Sequence, residues 1–295
     1  MLSVVITSVN GYRSVAPCLA SLERQPDRAR MEIIVVEASG DRTATRISAE
    51  FPTVTVIPHR QPCSLPELRS VGIREAKAPI VATTKDSCVF ERHWSRHVLA
   101  AHTRYSDAAI GGAVEHDAGN SLVDRAAHLC EYGPFMLPFR PASVRSVPAP
   151  NASFKRAILQ ATCGDLLERG VWEHVLHARL LARGMPLRLE PSIVVFDTRR
   201  FGFVQFLLQR YWFGRSFAAS RIATASTSTR ALWTAASPFL SSLFLWRYAR
   251  AAVRGRRFGL FVEAFPLLVS FALAWSVGEF LGYALGDGGA SQRVT

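Results

Sequence analysis

The chain has 295 residues, enough for one large domain or a domain with an appendix. At 49% apolar, with 18 Phe, 6 Trp and 6 Tyr, it is neither a disordered nor a low-complexity sequence. Its net charge of +12 is concentrated: residues 199–257 carry eleven arginines and no lysine, aspartate or glutamate, which leaves 24 basic against 23 acidic residues elsewhere. This distribution argues against a generally basic, nucleic-acid-coating protein. Apolar runs between the arginines suit an anionic membrane surface better. The five cysteines (Cys18, Cys63, Cys88, Cys130 and Cys163) have no metal-ligand spacing and fit a reducing compartment better than a disulfide scaffold.

Residues 1–6 lack the basic start and cleavage site of a signal peptide and read as a strand. The apolar run continues to residue 8, and Asn10-Gly11 marks a turn. Residues 12–25 place Val15, Leu19 and Leu22 at helical spacing. Residues 32–37 are apolar on both faces, as strands of covered parallel sheets are. Ser39-Gly40-Asp41 turns the chain into a short helix at 43–51. A strand follows at 54–57, a helix at 65–77 and a strand at 79–84. This alternation predicts an α/β domain with a mostly parallel sheet.

The middle is less regular. Residues 108–114 read as a strand. Residues 133–150 contain five prolines and read as a loop. Residues 165–183 read as one helix stopped by Gly184, and 187–196 as a further strand. Beyond 200, residues 231–245 and 264–278 are uncharged runs of fifteen, the second within a longer apolar stretch, 258–285. A spanning helix needs roughly 20 apolar residues. Helices lying in the inner leaflet are therefore the preferred reading. A short or tilted span at 258–285 and a helical pair packed on the domain are the alternatives.

Several side chains point to chemistry. Asp86 follows the strand at 79–84, with Lys85 and Ser87 beside it. Ligands of open α/β sheets bind outside the carboxyl ends of strands, and a carboxylate there can hold a divalent cation carrying a diphosphate. Glu37 ends the strand at 32–37 and is placed to contact a ribose or a base. Asp41 fits a helix cap better. Glu173, beside Trp172, is a candidate general base or a surface glutamate. His174 and His177 are three apart but have no evident third metal ligand. Asn151 opens a segment after the proline-rich loop and reads as a helix cap or a binding group. Gln209-Arg210-Tyr211-Trp212 joins cations to aromatics, as an interfacial anchor or a phosphate-binding segment.

In order and spacing, these motifs resemble family 2 glycosyltransferases with the A-type nucleotide-sugar fold. The resemblance runs over about residues 3–215. It rests on residues 3–10, on 32–43 around Glu37, and on 68–78 around Arg69. Weaker support comes from Lys85-Asp86-Ser87, Asn151–Arg156 and the helix carrying Glu173. It implies a nucleotide-diphosphate sugar as donor substrate and Mg²⁺ or Mn²⁺ bridging its phosphates. By matched position, Asp86 would bind the metal, and Glu37, Arg69, Lys85 and Asp86 the donor. Asn151 would lie on the acceptor side, and Glu173 would be the base of an inverting transfer. Gln209, Arg210 and Trp212 loosely resemble a segment that closes over the donor. Lys85 departs from the family by replacing the first acid of the metal pair, and Asp197 stands where histidine is frequent.

The implied organisation is a Rossmann-like catalytic domain at 1–200, an arginine- and aromatic-rich juxtamembrane segment at 201–230, and an apolar helical membrane-associated region at 231–290. The expected activity is sugar transfer to a lipid-linked or envelope-glycan acceptor at the cytoplasmic face of the inner membrane, with no nucleic-acid partner. The alternative is a catalytically impaired relative serving as a binding or scaffold subunit of an envelope-glycan assembly complex.

Overall fold

A computed structural model describes residues 1–59, 62–116, 121–222 and 225–293. In chain order the elements are β1 (Leu2–Ser8), α1 (Tyr12–Glu23), β2 (Met31–Glu37), α2 (Thr43–Glu50), β3 (Thr55–Pro58), α3 (Leu65–Glu75), β4 (Ile80–Lys85), β5 (Cys88–Phe90), α4 (Trp94–Arg104), β6 (Ala109–His116) and α5 (Leu122–Tyr132). There follow β7 (Ala142–Val144), β8 (Ala152–Lys155), α6 (Arg156–Glu168), α7 (Glu173–Ala182), β9 (Leu187–Asp197), α8 (Phe203–Arg221), α9 (Thr227–Ala236), α10 (Leu240–Arg254), α11 (Phe258–Glu263) and α12 (Phe265–Leu285). They form two compact units: residues 1–115 with 139–198, and residues 116–138 with 199–295.

The first unit is built on a sheet of order β3-β2-β1-β4-β8-β6-β9-β5, with β7 paired to β9. β1, β2, β3 and β4 are mutually parallel, and β8, added beside β4, is antiparallel. The α/β architecture with its parallel N-terminal half is the one expected from the sequence. β1 is buried at every position, which explains its unbroken apolar run. The chain lays β2 and β3 on one side of β1, then crosses to lay β4 on the other. That reversal opens a crevice at the carboxyl ends of β1 and β4.

Local chemistry fixes the helices that flank this crevice. A capping box starts α3: the Ser64 backbone N–H donates to Glu67 Oε2 at 2.7 Å, and the Ser64 hydroxyl accepts from the Glu67 N–H. Gly72 lets α3 lie close on the sheet, because a Cβ there would sit 2.3 Å from Val5 Cγ1. The single helix expected at 165–183 is two helices. Gly170 adopts a φ of 59° between α6 and α7, and a Cβ there would be 3.0 Å from the Glu67 Cα. Asn151 precedes a strand, β8, rather than a helix.

In the second unit, α8 and α12 are in direct contact along their lengths. A Cβ on Gly214 would lie 2.4 Å from the Trp275 carbonyl oxygen, and one on Gly278 2.2 Å from that of Tyr211. The core around them includes Phe206, Tyr248, Leu268 and Phe271, together with Ala126, Ala127 and Leu129 of α5. Residues 201–230 and 231–290, read as separate regions, thus pack as one body, and α5 joins them because its apolar face is buried there. Among the described residues, α12 is the one helix long and apolar enough to cross a membrane, with a mean hydropathy of 1.5.

Two buried histidines make the first unit acid-sensitive. His102 hydrogen-bonds Ser153 Oγ, and His177 stacks on Phe154. Burial pushes each imidazole down to about 4. The unfolded chain, with histidines near 6.5, therefore takes up these protons first. Stability from the neutral histidines is full above about pH 6.5 and lost as pH falls toward 4. Thermal melting across that range should show Tm falling with acidification, less steeply in His102→Gln and His177→Gln.

Candidate active site at the carboxyl rim of the parallel strands

Register places the candidate residues on one rim. Ser8 of β1 lies opposite Glu37 of β2, and Thr7 opposite Lys85 of β4. Glu37 and Asp86 thus flank β1 on adjacent strands, each about 5 Å away. In a β-α-β crossover the helix runs against the strands, so the first half of α3 brings Arg69 to this rim.

Asp86 is 1% exposed, and its carboxylate is engaged. Oδ2 accepts from the backbone N–H of Val9 at 2.9 Å and of Asn10 at 2.8 Å, while the Asn10 amide donates to Oδ1 at 3.0 Å. The carboxylate thereby ties the chain leaving β1 to the end of β4. Lys85 Nζ donates to Asp197 Oδ2 at 2.6 Å, and Ser87 Oγ donates to Asp197 Oδ1 at 3.0 Å. This joins the end of β4 to that of β9. Next to the pair, burial and the Asp197 charge push the Cys88 thiol up to about 12, so it is neutral and not a nucleophile.

Glu37 is 4% exposed, and its Oε1 accepts from the Ser39 backbone N–H at 2.7 Å, which sets its carboxylate at the strand end. Asp41 closes the following turn by accepting from Ser39 Oγ and the Thr43 N–H, both at 2.7 Å. Hydrogen bonds from Thr43 and Ser39 hold its carboxyl below the usual range. Glu173 opens α7 and forms an ion pair with Arg69, both largely buried. The structure therefore brings Glu37, Lys85, Asp86, Arg69 and Glu173 to one rim of the first unit. Sequence reasoning noted Asn10 only as a turn residue. Its role depends on a partner 76 residues away, which no local pattern reveals.

The remaining expected site residues lie in the interior or in the second unit. Asn151, expected on the acceptor side, is buried. Its Oδ1 accepts from Trp94 Nε1 at 2.9 Å, and its Nδ2 donates to the carbonyls of Ala113 at 2.8 Å and Ile193 at 3.1 Å. At 2% exposure it braces the interior, because each end of its amide is already matched. Gln209 and Arg210 lie inside the second unit. Gln209 bonds Arg199 and Glu131, and Arg210 sits 4.0 Å over the Trp275 ring. Trp212 is partly exposed and carries the Arg293 guanidinium 4.4 Å above its ring.

A divalent cation does not fit these side chains. Among the described residues, no three His, Cys, Asp or Glu side chains gather as ligands, so His174 and His177 gain no third partner. The Asp86 oxygens are occupied by donors from Val9 and Asn10, and both Asp197 oxygens by Lys85 and Ser87.

Fold and rim together define an A-type nucleotide-sugar transferase architecture. The Glycosyl transferase family 2 profile matches residues 3–162, more than half of the chain, so the protein belongs to that family and is a glycosyltransferase. The fold is similar to TarS 1-349 of S. aureus solved with UDP-GlcNAc, at 13% identity and a TM-score of 0.51, covering 95% of this chain and 89% of that one. It is also similar to the mannosyltransferase PcManGT of Pyrobaculum calidifontis solved with GDP-Man and Mn²⁺, at 15% identity and a TM-score of 0.57, covering 94% and 86%. No curated protein matches in sequence.

The interior role of Asn151 has a measurable consequence. Asn151→Ala leaves the Trp94 N–H and two carbonyls unpaired in the core. It should lower unfolding stability by about 2–4 kcal/mol, measured by urea denaturation. An unchanged stability with a raised acceptor KM would restore the binding role.

Proposed function

We propose that the protein transfers a sugar from a nucleotide-diphosphate donor to an acceptor hydroxyl, with inversion at the anomeric carbon. What carries the reading is the rim itself: a nucleoside-facing carboxylate, Glu37, one strand from the β1–β4 crevice, with a second carboxylate, Glu173, held by Arg69. The nucleoside lies toward Glu37 and the diphosphate toward Lys85 and Arg69. In an inverting transfer the acceptor oxygen attacks from the side opposite the leaving diphosphate. Glu173 takes the acceptor proton as the bond to the anomeric carbon forms, and Arg69 orients its carboxylate. The bond to the diphosphate breaks, and the nucleotide leaves with the electron pair.

Glu173→Gln keeps the size and loses the base. Donor turnover, assayed with UDP- and GDP-sugars, should fall about 10²- to 10⁴-fold while nucleotide binding persists. Unchanged turnover would remove Glu173 from the mechanism. The second reading is a binding or scaffold relative, favoured by one observation: Glu173 is already committed to Arg69. Binding of nucleotide with no turnover of any donor, and no phenotype for Glu173→Gln in cells, would select it.

The acceptor proposed is a lipid-linked or envelope glycan at the cytoplasmic face of the inner membrane. Support comes from the second unit, where α10 exposes Leu243, Trp246 and Val253 on the same helix as Arg247, Arg250 and Arg254. α12 exposes Leu273, Val277 and Phe280 at helical spacing. Its opposite side is packed, with Glu279 buried and bonded to Trp275 and Tyr283. A surface of this kind suits an interfacial helix better than a lone span. The full chain should float with vesicles containing phosphatidylglycerol. Arg247→Glu with Arg250→Glu should weaken this, since each basic residue contributes about 1 kcal/mol near an anionic surface. Equal flotation with neutral vesicles would leave only the apolar contribution.

A further inference from the structure

We infer that Lys85, held by Asp197, supplies the positive charge that faces the donor diphosphate, so that this chain binds its nucleotide without a divalent cation. The inference rests on the transferase reading above and concerns how its donor site is charged.

Three observations lead there. First, the carboxylate that would recruit a cation is already engaged, since Asp86 is buried and takes two backbone N–H groups and an amide from the segment leaving β1. Removing it to bind a metal would strand those buried donors. Second, the other carboxylate at this end of the sheet, Asp197, gives one oxygen to Lys85 and the other to Ser87. Third, the residue that precedes Asp86 and pairs with Asp197, Lys85, is itself a cation. A divalent ion beside the Lys85 ammonium would meet like-charge repulsion. The site is thus arranged around a fixed monovalent charge.

The geometry suits that charge to phosphate. Lys85 ends β4, at the strand reversal where ligands of open sheets bind. Its side chain is 17% exposed, whereas Asp197 is 4% exposed and lies behind it. The ammonium has three N–H donors, and one of them reaches Asp197. A phosphate oxygen entering from the crevice shares the ammonium with Asp197, as a charge-assisted hydrogen bond. Asp197 holds Lys85 in place, and Ser87 holds Asp197 in place.

The test is calorimetric titration of the full-length protein with UDP and with GDP, in EDTA and again in excess Mn²⁺. Affinity for the nucleotide that binds should agree within about twofold between the two conditions, a difference well under 1.4 kcal/mol. In EDTA, Lys85→Met should weaken binding about tenfold or more, the scale of one lost hydrogen bond to a charged group. Lys85→Arg should restore most of it. Because Lys85→Met alone strands Asp197, the double variant Lys85→Met with Asp197→Asn separates folding from binding: it should melt near the parent and still bind weakly. Binding that appears only with Mn²⁺ and survives Lys85→Met overturns the inference but leaves the transferase reading standing. An absence of nucleotide binding in both conditions overturns both.

Discussion

The buried carboxylate of Asp86 is the constraint on which the rim depends. β1 and β4 are parallel neighbours, and where β4 ends the Asp86 N–H still donates to the Thr7 carbonyl at 3.1 Å. The segment after β1 has no further strand partner, and its N–H groups need an acceptor. Asp86 provides it for Val9 and Asn10. That contact sets where the chain turns into α1 and what lines the crevice. It also directs the carboxylate toward the backbone N–H groups that leave β1.

Two ion pairs stand at this end of the first unit beside the backbone-bonded carboxylates of Glu37 and Asp86. Asp197 is matched by Lys85, and Glu173 by Arg69. Each pair joins elements far apart in sequence, β4 with β9 and α3 with α7. Buried pairs of this kind contribute little net stability, because desolvation offsets much of the attraction. Their effect is positional: they hold charges where a solvated side chain would wander. A general base and a phosphate-facing cation each require such fixing.

The second unit solves a different problem. Its arginines are too many for an ordinary apolar core, yet the helices around them pack closely. α8 meets α12 backbone to backbone at Gly214, Gly278 and Gly282, which leaves side-chain volume for aromatics to stack with guanidinium groups. Arg210 and Arg221 each lie over a tryptophan ring, so the cations are partly accommodated within the bundle. The apolar residues left outside are concentrated on the exposed faces of α8, α10 and α12. A hydropathy profile cannot distinguish packed from exposed apolar residues on such helices, because it averages over the faces of the helix.

The sequence alone determined the parallel half of the fold. The unbroken apolar runs of β1 and β2, their turn residues and the helical spacing of α1 and α3 are local signals, and each formed the expected element. Placing Glu37, Lys85 and Asp86 at the rim also followed, because strand ends are local features of a parallel sheet. What only the tertiary structure decided were the partners: Asn10 for Asp86, Asp197 for Lys85, Arg69 for Glu173, and Trp94 with Ala113 and Ile193 for Asn151. It also decided the break at Gly170 and the transfer of α5 to the helical unit. Periodicity reports which face of an element is buried. Which charge neutralises which, and which polar group is already satisfied, depends on residues brought together from 38 to 112 positions apart.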